Sequence, residues 1–149
     1  MLRSFLIGLV AGQRGMTPLA VVAGAARQGT LGTHAPGAAL VSHPLVASGS
    51  VLLAAAEMAG DKMKTAPDRT IVPGLLARAL TAGFAGAALA DRRRKTAALV
   101  AATTALVASH AGLALRRRAM RRWGQTATGF VEDAAVLASG IAIARLPAH

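Results

Sequence analysis

The chain has 149 residues, 54% of them hydrophobic and only 15% charged, with a mean hydropathy of +0.49 and a formal net charge of +11. A soluble domain carries roughly 25% charged residues, so a solvated globule is excluded as the leading description. The 17 Lys and Arg fall in short clusters between apolar runs, and aromatics at 3% are too few to stack on bases, so a nucleic-acid partner is set aside. There is no cysteine, hence no disulfide, thiol nucleophile or cysteine metal site.

Five apolar segments follow in order, at residues 4–26, 44–60, 71–90, 97–115 and 129–146. About 20 apolar residues cross a bilayer core. The expectation is an all-α polytopic transmembrane bundle forming one domain over 1–149, with four or five membrane segments. The first segment opens as MLRSFLIGLVAG, which is how a signal peptide begins. Gln13, Arg14, Gly15 and Pro18 then interrupt the run, so it is read as a retained membrane element that is discontinuous or re-entrant. Residues 27–42 read as a loop. The second segment is uncharged until Glu57 and is followed by Asp61, Lys62, Lys64, Asp68 and Arg69. The third opens with Pro73, tolerated in a first turn, and contains Arg78. ADRRRKT reads as a tight turn, and LRRRAMRRWGQTATG as a short interfacial helix with Trp123 at headgroup depth. Thr128 is the expected N-cap of the last segment, ahead of Glu132 and Asp133.

The basic loops suit anionic lipid headgroups, and the expected location is a bacterial inner membrane, multi-pass. With five spans, nine basic residues fall on the side of the N-terminus and six on the other; with a re-entrant first segment the balance is eight against seven. Orientation is thus weakly specified, and dual orientation stays open. Small residues paired at helical spacing (Gly8 and Gly12, Ala79 and Gly83, Ala82 and Gly86) favour close helix approach.

Charges inside or bordering membrane spans are expensive and mark functional sites by default. The break in the first segment would expose backbone groups that need partners. Arg14 supplies a fixed positive charge there, and Gln13 and Thr17 supply neutral hydrogen-bonding groups; the alternative is a simple kink with Arg14 snorkelling to the headgroups. Glu57 and Asp61, four apart, share a helix face and form a carboxylate pair suited to a proton or a cation. Lys62 borders them. Arg78 lies too deep to be unpaired, and Glu57 or Asp133 is its expected partner; Asp133 is equally placed for Arg14. The candidate ion or solute site is therefore Arg14, Thr17, Glu57, Asp61, Lys62, Arg78 and Asp133. No histidine spacing suggests zinc, and there is no phosphate loop, nucleophile elbow or dinucleotide motif, so neither an enzyme nor a cofactor is expected.

Three stretches, GLVAGQRGMTPLAVVAG, LAAAEMAGDKMKTAPDRTIVPGLLARALTAGFAGAAL and TGFVEDAAVLASGIAIA, together resemble the small bacterial inner-membrane proteins of the domain of unknown function 4126 family. The family's recurring positions fall on Arg14 and Pro18, Glu57, Asp61 and Lys62, Pro73, and Glu132 and Asp133. The loop after Lys62 departs from the family pattern: it lacks the Ile-Pro pair and the aromatics, and Val72 rather than arginine precedes Pro73. The resemblance implies an integral membrane protein and implies no activity. The leading expectation is a small transporter- or channel-like protein for a proton, small ion or small solute, assembled as a homo-oligomer. The alternatives are a non-transporting scaffold held by buried ion pairs, and an anionic-lipid-handling protein.

Overall fold

A computed structural model describes residues 1–32, 34–61 and 70–146. The described residues form seven helices and no strand: α1 (Leu2–Gln13), α2 (Thr17–Arg27), α3 (Ala38–Ser42), α4 (Pro44–Gly60), α5 (Val72–Ala88), α6 (Arg94–Trp123) and α7 (Gln125–Arg145). Pro18, Pro44 and Pro73 each sit in a first helical turn, where the missing N–H would have had no intrahelical acceptor.

The first apolar segment is two helices, not one. Gly8 of α1 packs on Ala101 and Thr104, Gly12 on Ala105 and Ala108, and Gly112 on Gln13, so α1 and α6 run parallel. The turn at Asp91–Arg93 returns α6 along α5. α7 turns back along α6, since Arg116 of α6 meets Glu132 of α7. Val21 and Thr17 approach Gly140 while Arg14 meets Asp133, so α2 runs alongside α7 in the same direction. α2 therefore reverses α1, and the two make a helical hairpin whose tip is Arg14–Met16.

Close approach needs small residues. A Cβ on Gly8 would lie 2.6 Å from the Ala101 carbonyl oxygen, and one on Gly86 would lie 2.7 Å from that of Ala97. Ile7, Val10, Ala11, Ala82, Ala85, Ala101 and Ala105 fill the interface between α1, α5 and α6 as buried core residues. Large apolar side chains lie on the outer surface, and several charged ones are buried. Leu45 is 77% exposed and Val131 71%, while Arg14 is 1% exposed.

Three expectations are corrected. Residues 27–42 are not all loop: after Gly37, at φ 68, the chain forms the one-turn helix α3. LRRRAMRRW is not a separate interfacial helix: it continues α6 without a break, because nothing from Arg94 to Trp123 interrupts the helical ladder. Trp123 ends it, 65% exposed, with the Arg122 guanidinium 5.7 Å from its ring centroid. Thr128 does not cap α7. Gly124 occupies that position, and the Thr128 hydroxyl donates back to the Gly124 carbonyl from inside the first turn, 2.7 Å away.

Gly12→Ala is expected to lower thermal stability in detergent by about 1–3 kcal/mol, because the methyl has no room against α6. Gly49→Ala, on α4 with nothing within 4 Å, should be neutral or stabilise by up to about 1 kcal/mol. Melting both variants side by side checks the packing.

Candidate functional site

The hairpin tip leaves backbone N–H groups at the start of α2 with no helical acceptor. Glu57, near the end of α4, supplies one. The Gly15 and Met16 amides donate to its Oε1 and Oε2, each at 2.8 Å. The carboxylate thus sits where the α2 dipole is most positive. Arg78 of α5 adds an ion pair to Glu57 Oε1 at 3.5 Å, with its side chain 9% exposed. Of its two expected partners, Glu57 pairs with it.

Arg14 lies beside this cap. Its Nε donates to Asp133 Oδ1 at 2.8 Å, and its Nη2 lies 2.6 Å from the same oxygen. Nη1 pairs with Asp61 Oδ2 at 2.8 Å and donates to the Gln13 carbonyl at 3.1 Å. Glu132 Oε2 is 3.7 Å from Nη2. Arg116 of α6 closes the network: its Nη1 pairs with Asp61 Oδ2 and with Glu132 Oε2 at 3.0 Å, and its Nη2 donates to the Asp61 carbonyl at 3.2 Å. Asp61 and Glu132 are therefore each shared between two guanidiniums.

The structure brings together Arg14, Glu57, Asp61, Arg78 and Asp133 of the expected residues. Glu57 and Asp61 do not act as one pair, since Glu57 serves the backbone and Arg78 while Asp61 serves Arg14 and Arg116. Thr17 is buried at the start of α2 with no partner for its hydroxyl, and it lines a groove between α2, α4 and α7. Gln13 anchors α1 to α6 instead, its Nε2 donating to the Ala108 carbonyl at 3.2 Å. Lys62, with Lys64, Asp68 and Arg69, lies outside the described residues.

Two members were missed from sequence. Glu132 stands beside Asp133 at the start of the last apolar segment, and Arg116 in a basic cluster suited to headgroups, so neither is in the expected site. The signal for Arg116 was present: Ala97, Ala101, Ala105, Ala108, Gly112 and Arg116 lie at three- and four-residue intervals on one buried face of α6. A charge continuing a stripe of small residues faces the bundle.

No protein-family model, curated protein or solved structure matches the chain. The resemblance to the domain of unknown function 4126 family therefore rests on the three quoted stretches alone. Among the described residues no group of His, Asp and Glu is arranged to hold a metal ion.

Arg14→Ala is expected to destabilise the fold by about 3–5 kcal/mol, because it takes the guanidinium away from the buried Asp133 carboxylate and leaves Asp61 and Glu132 to Arg116 alone. Arg14→Gln combined with Asp133→Asn should recover more than half of that loss, which a double-mutant cycle of melting curves measures. Glu57→Gln keeps one acceptor oxygen but turns an NH₂ group toward a backbone N–H, and should cost about 1–3 kcal/mol in the same assay.

Proposed function

We propose that the chain is a polytopic membrane protein, transporter- or channel-like, that takes up a proton or small cation at the carboxylates around Arg14. The membrane half of this reading is supported by surface and length. α6 and α7 are long and apolar enough to cross a membrane, and only 28% of the most apolar window of each is buried. Leu52, Leu80, Val107 and Val131 point outward, while the guanidiniums and carboxylates point inward. α4 and α5, 17 residues each, are about 25 Å long and close to spanning length. In this arrangement α4, α5, α6 and α7 cross. The α1–α2 hairpin enters and leaves on one side, placing Arg14 about 18 Å from the entry end. Basic residues then divide eight against seven, so the charge rule leaves either orientation open. A bacterial inner membrane follows from the family resemblance, and a homo-oligomer from the small size of one bundle.

The observation that carries the transport half is the sharing of partners at the hairpin tip. Arg14 meets Asp61, Glu132 and Asp133, and Arg116 meets two of the same three. Neutralising one shared carboxylate leaves both arginines with another, so the network can accept a proton or a cation without exposing an unpaired charge. Half-helix ends that meet charges inside a bundle serve this purpose in transporters.

A second reading, a scaffold locked by its ion pairs, is favoured by the 1% exposure of Arg14, which places that guanidinium out of contact with water. The two separate in proteoliposomes carrying an entrapped pH dye. Under an imposed potential, wild-type protein should admit protons, and Asp61→Asn should slow the flux about tenfold or more while still folding. No flux above empty vesicles, or equal flux in a folded Asp61→Asn protein, gives the site to the scaffold.

A further inference from the structure

At the end of the bundle opposite the charge cluster, a cavity of about 500 Å³ lies between the start of α1, the α5–α6 turn and the end of α7. Arg3 lines it. This residue is only 8% exposed, and its Nε and Nη2 are buried with no hydrogen-bond partner. Those two nitrogens form one edge of the guanidinium, the fork that binds two oxygens of a phosphate or carboxylate side by side. Arg14 uses the same edge on Asp133. Burying the fork unpaired is costly, and a pair of oxygens of matching shape would offset that cost.

The rest of the lining favours an anion. Arg92 and Arg93 stand at the mouth. The cavity adjoins the N-terminus of α6, a 30-residue helix with no acidic residue in its first turn and no side-chain cap. Among the described lining residues Asp91 is the one carboxylate; it is exposed, attracts Arg3 electrostatically and makes no hydrogen bond to its Nε or Nη2.

An apolar groove of about 520 Å³ runs on from this cavity between α1 and α7. Leu146 belongs to both, and Leu6, Leu9 and Ile143 line the groove beyond it. A basic pocket continuous with an apolar groove fits an amphiphile with an anionic head. We propose that this end of the protein binds the phosphate of an anionic phospholipid on Arg3, Arg92 and Arg93, with an acyl chain laid along the α1–α7 groove. A free phosphate shares the head chemistry but leaves the groove empty. The far end of the groove reaches Gln13 and Glu132, beside the Arg14 cluster, whereas the head site on Arg3 does not depend on transport there.

The test is native mass spectrometry of the detergent-purified full chain, titrated with phosphatidylglycerol or with phosphatidylcholine. Wild-type protein should retain phosphatidylglycerol in preference, and Arg3→Gln should weaken retention about tenfold. Asp91→Asn, an exposed change that removes the competing carboxylate, should strengthen it several-fold, which keeps the test decisive if Arg3→Gln fails to fold. Equal retention of both lipids overturns the proposal, as does unaltered retention in Asp91→Asn or in a folded Arg3→Gln protein. Displacement of nothing but bound inorganic phosphate, with no lipid preference, overturns the lipid and leaves a soluble phosphate as the occupant.

Discussion

Everything in this bundle depends on how the α1–α2 hairpin tip satisfies its own backbone. A chain that reverses inside a helical protein exposes N–H groups where water is scarce, and each buried orphan costs on the order of 1–3 kcal/mol. Glu57 answers this with both carboxylate oxygens on the amides of Gly15 and Met16. That solution brings a charge into the interior, and the charge needs compensation in turn. Arg78 on α5 provides it for Glu57, and the neighbouring Arg14 is matched by Asp61 and Asp133. One part of the buried charge thus follows from a backbone requirement, and the other gathers around Arg14 at the same tip.

The second constraint is distance. The tip reaches the acids of α4 and α7 because α1 lies almost in backbone contact with α6, with Gly8 and Gly12 against Ala101 and Ala105. Bulkier residues on that face would push α1 outward and carry Arg14 away from Asp133. In a bilayer, where lipid offers apolar side chains as good an environment as protein, van der Waals contact of this closeness is a large part of what holds helices together. The small-residue stripe and the charge cluster are two parts of one arrangement.

Much of this was legible in the sequence. The break at Gly12–Pro18 showed itself through residues that no continuous span would carry, and the small-residue pairs marked the α1–α6 and α5–α6 faces. The pairings of Arg78 with Glu57 and of Arg14 with Asp133 were within the alternatives, because a deep arginine must have an acid and few acids were at hand. What the sequence did not convey was the direction of α2. A single crossing and a return hairpin have the same apolar pattern, and only the partners of Thr17 and Val21 on α7 distinguish them. Arg116 and Glu132 were missed for a related reason: a run of arginines reads as solvated until the register of the preceding alanines is followed into it, and an acid beside another reads as a cap.

The single residue between the two longest helices bears on the charge network in another way. Gly124 has φ 80 and ψ 166, a conformation essentially confined to glycine. Arg116 and Glu132 stand eight residues before and after it, about 12 Å along each arm. The two helices are rods leaving a common corner, and the 3.0 Å ion pair is the latch that sets how far they open. With such a corner, the spacing of the two arms at Arg116 and Glu132 fixes the angle between them, and the angle fixes the position of every side chain farther along α7.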